Sequence, residues 1–143
     1  MAYTKLIVIH SRLDRCLDYT QDEEKTSLET VLDYAMNRDK TEQDCFETAL
    51  NCSRETAYAD MMDTKRRWGK VSRKRKGYHV IQSFAPGEVT PEQAHEIGCE
   101  FARRLFGEDF EVVVGTHLDK AHPHNHIIVN SVSRIIRKEV MSK

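Results

Sequence analysis

At 143 residues the chain is long enough for one domain with a real core and too short for two. Its 39% hydrophobic and 31% charged content excludes a disordered chain, and no apolar run approaches a membrane span. A net charge of −1 argues against wholesale nucleic-acid binding. The distribution of charge qualifies this: eight of the twelve residues from Lys65 to Lys76 are basic, while acidic residues concentrate between Asp14 and Glu55. Such segregation can give a neutral protein a strongly positive face. The short apolar run after Met-Ala-Tyr-Thr-Lys suits a strand better than a signal peptide, so the cytoplasm is the expected location. The four cysteines, without a CxxC pair, read as reduced packing residues.

Residues 3–10 read as the first strand. Ser11 can cap a short helix ending near Tyr19, and a second helix is expected over residues 27–36, with Leu28, Val31, Leu32 and Ala35 at helical spacing. Both helices end on the same phrase, Leu-Asp-Tyr-x5-Lys-Thr, at Tyr19 with Lys25 and at Tyr34 with Lys40. Residues 44–51 alternate as a second strand. Ser53 then caps a helix running to Trp68, which Gly69 ends. The basic run occupies its last turn and the loop 70–77: Arg66, Arg67, Lys70, Arg73, Lys74, Arg75 and Lys76. This is either a solvated loop or a track for the phosphates of single-stranded DNA, with Trp68 stacking on a base. Residues 78–84 form the third strand. Thr90, Pro91 and Gln93 make a capping box for the next helix, whose expected apolar face is Ala94, Ile97, Gly98, Phe101, Ala102 and Leu105. The last two strands are 110–117 and 124–133, and a basic tail follows.

The densest signal is His117-Leu-Asp-Lys-Ala-His-Pro-His-Asn-His126, running into Ile-Ile-Val-Asn130. Residues i and i+2 of a strand share a face, so His124 and His126 emerge side by side. His117 returns to the same spot from the preceding strand. Three neutral imidazoles converging on a point suit a divalent metal with open positions. Asp119 either accepts a ring N–H from a ligand or forms a turn. His122 is a substitute ligand, a phosphate contact or a loop residue.

The pattern His117-x-Asp119-x4-His124-x-His126 resembles the third motif of MobP-type conjugative relaxases, the relaxase/mobilisation nuclease family of the HUH endonuclease class. Tyr-x5-Lys-Thr resembles their first motif, whose tyrosine is the nucleophile. Residues 79–98 resemble the second, whose serine, Ser83 here, touches DNA. The resemblance covers roughly residues 1–133. It implies an α+β domain with a five-stranded, largely antiparallel sheet and helices packed on it. It also implies that such domains continue further, so a single domain over 1–143, shortened at its C-terminal end, is expected.

The implied activity is strand-specific nicking of single-stranded or extruded DNA at a plasmid or integrative-element transfer origin, through a 5′-phosphotyrosine. The implied metal ligands are His117, His124 and His126. Magnesium or manganese is the family's metal, while imidazoles also suit zinc or nickel. Lys25 and Lys40 would add positive charge for the DNA backbone. Tyr19 follows the first strand at the family's usual distance and is the favoured nucleophile, with Tyr34 the alternative. Accessory relaxosome proteins and a coupling protein are implied partners. Two other classes remain: a metal-dependent phosphodiester hydrolase indifferent to both tyrosines, and a catalytically silent DNA-binding module.

Overall fold

Strands rich in valine and isoleucine need a partner on each edge and cover on each face, and the computed structural model supplies both. It describes residues 3–10, 27–36, 45–117 and 122–135. The expected helix ending at Tyr19, and Lys25, Lys40, Asp119 and the tail beyond 135, lie outside the described residues. The elements are β1 (Tyr3–His10), α1 (Ser27–Ala35), β2 (Cys45–Leu50), α2 (Ala57–Arg67), β3 (Arg75–Ser83), α3 (Pro91–Phe106), β4 (Val112–His117) and β5 (His124–Asn130). The strands form one antiparallel sheet in the order β1-β3-β5-β4-β2, which confirms the expected α+β architecture. The histidine-bearing β4 and β5 are neighbours, with β5 in the middle. No helix among the described residues is long and apolar enough to cross a membrane.

The sheet is covered on both faces. α1 and α2 pack on one, where Leu28, Val31, Leu32 and Met61 meet Ile9, Val113 and Ile128. α3 packs on the other, where Ala102 and Phe106 meet Val80, Val112, Val114, Ile127 and Val129. Alternation along β4 and β5 divides their side chains between these layers.

Four local readings change. Ser53 does not cap α2: its hydroxyl donates to Glu55, and the helix starts after Thr56, with Asp60 reaching back to the Ser53 N–H and the Thr56 hydroxyl. β3 begins at Arg75, because His10 of β1 pairs there and the Ser131 hydroxyl holds the Arg75 carbonyl, so Arg75 and Lys76 belong to a strand rather than a loop. The flanking strands are shorter than expected, β4 starting at Val112 and β5 stopping at Asn130. The buried stripe of α3 is Ala94, Gly98, Cys99, Ala102 and Phe106, leaving Ile97 and Leu105 exposed. Its small residues let the helix sit close. A Cβ on Gly98 would lie 2.7 Å from the Asn125 amide nitrogen. The Thr90–Gln93 capping box forms as read.

Lys65, the first residue of the basic run, is 1% exposed. Its Nζ donates to the Asn130 side chain, to the Lys76 carbonyl at 2.9 Å and to the Ser131 hydroxyl at 3.2 Å. Asn130 in turn donates to the buried Glu111 carboxylate at 2.9 Å and to the Met61 carbonyl at 3.1 Å. This network pins α2 to the end of β5. Lys65→Met would strand the buried Asn130 oxygen and leave the Lys76 carbonyl and Ser131 hydroxyl without this donor. An expected loss of about 2–4 kcal/mol follows, read as a lower urea midpoint.

Candidate metal and DNA-cleavage site

The strand pairing that buries Val113 and Ile128 also places the histidines. His117 of β4 lies directly across from His124 of β5, and Gly115 across from His126. All three imidazoles therefore stand on the α1 face. Between them Asn125 points to the other layer. There it donates to the Ala94 carbonyl at 2.7 Å and to Gln82 at 2.9 Å, and accepts from Thr116 at 2.6 Å. These three bonds hold β5 at one rotation, and so aim both neighbouring histidines at the same spot.

One ligand atom from each of His117, His124 and His126 falls within 4.8 Å of the others. Each ring already uses one nitrogen. His117 Nε2 sits 3.0 Å from the Ala35 carbonyl, so its proton is there and the lone pair is on Nδ1. His124 Nδ1 lies 3.2 Å from the His122 carbonyl, which leaves Nε2 as the ligand atom. His126 Nδ1 lies 2.8 Å from Nε2 of His79, and His126 Nε2 is buried with no hydrogen-bond partner among the described residues. A buried nitrogen of this kind, in a cluster where each of three rings offers a ligand atom within 4.8 Å of the others, suits a metal cradle. Burial, followed by the charges of His79, His117 and His124, holds His126 well below its ordinary pKa, in the neutral form that ligates. The residues present therefore fit a divalent cation.

Tyr34 stands against this cluster. Its ring centroid is 5.1 Å from that of His117 and 5.0 Å from that of His126, edge-on in both cases. α1 carries it there. The helix's final carbonyls have no intrahelical partner, and Ala35 receives the His117 N–H instead. Gly115 makes the approach possible, since a Cβ there would lie 1.8 Å from the Ala35 oxygen. Tyr19, favoured on sequence spacing, lies outside the described residues.

Ser83 is directly across β3 from His124 and shares its face. His122 is exposed beside the strand start, its carbonyl serving His124. The basic residues are elsewhere. Arg66 and Arg67 end α2, and Arg75 and Lys76 begin β3, next to Asn130 and Ser131. Their end of β5 lies six residues from His124, or about 20 Å along the strand. The basic run is thus not part of the histidine cluster. Arg66, Arg67, Arg73, Lys74 and Arg75 are exposed, whereas Lys70, Lys76 and Trp68 are half-buried.

Sequence reading passed over His79. Its signal was a polar residue in the middle of an apolar strand, on the inward face. On the opposite layer, His95 is held between the Thr48 and Thr116 hydroxyls, each at 2.7 Å, which is a structural role. Cys52 and Cys99 are free thiols that burial pushes up, Cys52 to about 12. This suits the packing role read for them.

The model of the relaxase family "MobA/VirD2-like, nuclease domain" matches residues 34–142. The match starts at Tyr34. Among curated relatives, a Staphylococcus aureus protein named Rlx is 44% identical over 86 residues, which is 60% of this chain and 26% of that protein. A second S. aureus Rlx is 41% identical over 95 residues, 66% of this chain and 30% of that protein. The group II intron-interrupted relaxase LtrB of Lactococcus lactis subsp. cremoris is 47% identical over 64 residues, 44% of this chain and 11% of that protein. The chain thus spans a third or less of the length of these relatives.

Proposed function

From the chain's membership of the MobA/VirD2-like relaxase nuclease family, we propose that it nicks single-stranded DNA at a transfer origin through a covalent tyrosine intermediate. Tyr34 is the nucleophile in this reading. The observation that carries it is the Tyr34 ring edge-on to both His117 and His126, two of the three histidines whose ring nitrogens converge. The family match beginning at Tyr34 supports the same choice over Tyr19.

His117, His124 and His126 would hold a divalent cation, magnesium or manganese for function, with zinc or nickel also suited to three imidazoles. When bound, such a cation supplies positive charge to the non-bridging oxygens of the scissile phosphate. The protein's own part is to bring the phenol oxygen in line. That oxygen attacks phosphorus, the P–O3′ bond breaks, the phenol proton leaves to solvent and the departing O3′ takes one up. The products are a 5′-phosphotyrosine diester and a free 3′-hydroxyl. One phosphodiester replaces another, so the step is reversible. Ser83, on the edge of the same face, would contact the DNA beside the cut. Lys25 and Lys40 keep the charge role read for them, whereas the ring N–H of each candidate ligand already meets Ala35, His122 or His79, which favours the turn reading of Asp119. Accessory relaxosome and coupling proteins remain the implied partners.

The basic run fits DNA leaving the site along the α2 edge. Replacing both Arg73 and Lys74 by alanine is expected to weaken single-strand binding. The slope of log affinity against log salt should fall by about 1.4 if each contacts one phosphate. An unchanged slope would remove this surface from the DNA path.

The test of the activity is a mass spectrum after incubation with manganese and oligonucleotides tiled across the DNA flanking the gene. A mass gain equal to a 5′-phosphorylated fragment, mapped to the peptide holding Tyr34 and abolished by chelator, is the expected result. Cleavage without an adduct would indicate a hydrolase. Binding without cleavage would indicate a silent module.

A further inference from the structure

A fourth histidine stands behind the three. His79 projects from β3 onto the α1 face and is 1% exposed, one of the largest fully buried side chains. Its Nε2 lies 2.8 Å from His126 Nδ1, with the ring centroids 5.0 Å apart. Its other nitrogen, Nδ1, is buried and has no hydrogen-bond partner among the described residues.

One proton lies between the two rings, and its location decides whether His126 can ligate. If His79 donated, His126 would carry its own proton on Nε2, which would then be a donor aimed at a cation. For His126 Nε2 to offer a lone pair, Nδ1 must hold the proton and give it to His79 Nε2. His79 is then protonated on Nδ1, the orphaned atom. Leaving a buried donor unpaired costs about 1–3 kcal/mol, which a leucine or phenylalanine at this position would avoid. Packing alone therefore does not explain a histidine here.

We propose that His79 is a positioning residue for His126. By accepting the His126 Nδ1–H, it fixes the ring's rotation and leaves Nε2 as the metal-binding nitrogen. This rests on the reading of His117, His124 and His126 as metal ligands. In most metal sites a carboxylate or carbonyl takes this N–H. Here the described residues around His126 offer an imidazole, neutral and acceptor-competent.

The full chain, stripped of metal, is titrated with manganese by calorimetry, alongside His79→Gln and His79→Leu. Glutamine can present an amide oxygen to His126, and leucine cannot. The expected result is glutamine binding within about threefold of wild type and leucine about 10–100-fold weaker. Thermal midpoints of the metal-free proteins are measured in parallel. For His79→Leu the midpoint should be unchanged or raised, because the orphaned nitrogen is gone.

Tight binding by His79→Leu would overturn the positioning role while leaving the three-histidine reading intact. So would a loss of affinity matched by a fall in metal-free stability, which marks a merely structural residue. An equal loss in the glutamine and leucine variants would overturn the acceptor role. Failure of the wild type to bind manganese would overturn the three-histidine reading, and this one with it.

Discussion

Tyr34→Phe should lower DNA nicking by about a thousandfold or more and abolish the covalent adduct, while manganese affinity and single-strand binding stay within about twofold. The substitution removes one oxygen. The phenyl ring keeps its edge-on contacts with His117 and His126 and its half-buried place at the end of α1. The Ala35 carbonyl still receives the His117 N–H, since that bond uses backbone. In the proposed reaction what disappears is the attacking atom, so the loss should fall on turnover rather than on binding. Tyr19→Phe is the comparison. If Tyr19→Phe loses the adduct and Tyr34→Phe keeps it, the assignment of Tyr34 is wrong.

Gly115→Ala should damage both stability and activity. The new Cβ would meet the Ala35 carbonyl oxygen at 1.8 Å and its carbon at 2.7 Å. These are backbone atoms and cannot rotate aside. Real Cβ contacts under 3.0 Å essentially do not occur, so the end of α1 must retreat by more than 1 Å or the strand must bend. Forced overpacking of this kind costs about 1–3 kcal/mol and sometimes more. The retreat carries Tyr34 with it, and a misplacement of about 1 Å can lower a rate by about a hundredfold. Manganese affinity should fall less than activity, because the three histidines belong to β4 and β5. A urea melt, a manganese titration and a nicking assay on one preparation separate the effects. Full nicking by a folded Gly115→Ala protein would show that the helix end does not position the nucleophile.

Much of this was legible in the chain. Period-two alternation gave the five strands, and the two-residue spacing of His124 and His126 gave their common face. The six-residue interval after His117 implied a hairpin, and the register places His117 opposite His124. What the sequence did not reveal depends on contacts between distant segments. Tyr19 and Tyr34 sit in identical phrases, and the close approach of α1 that sets Tyr34 against the histidines depends on the missing side chain at Gly115, about eighty residues on. Lys65 looked like a solvated member of a basic run. Yet it lies four residues after the buried Met61, on the same helical stripe, and its partner Asn130 is on β5. The place of His79 beside His126 depends on β3 pairing with β5.

The candidate cradle and the proposed nucleophile also differ in how far the chain must travel to build them. All three candidate ligands lie within ten consecutive residues, on the two arms of one hairpin. Closing so short a loop is fast and entropically cheap. Tyr34 must be brought across more than eighty residues of intervening chain. The capacity to take up a cation can therefore appear before the rest of the sheet is assembled, and an ion held there would favour the one register that sets His117 across from His124. On the proposed mechanism, cutting would further require the remote helix to dock. A nascent or partly unfolded chain would in this way be loaded before it could cleave.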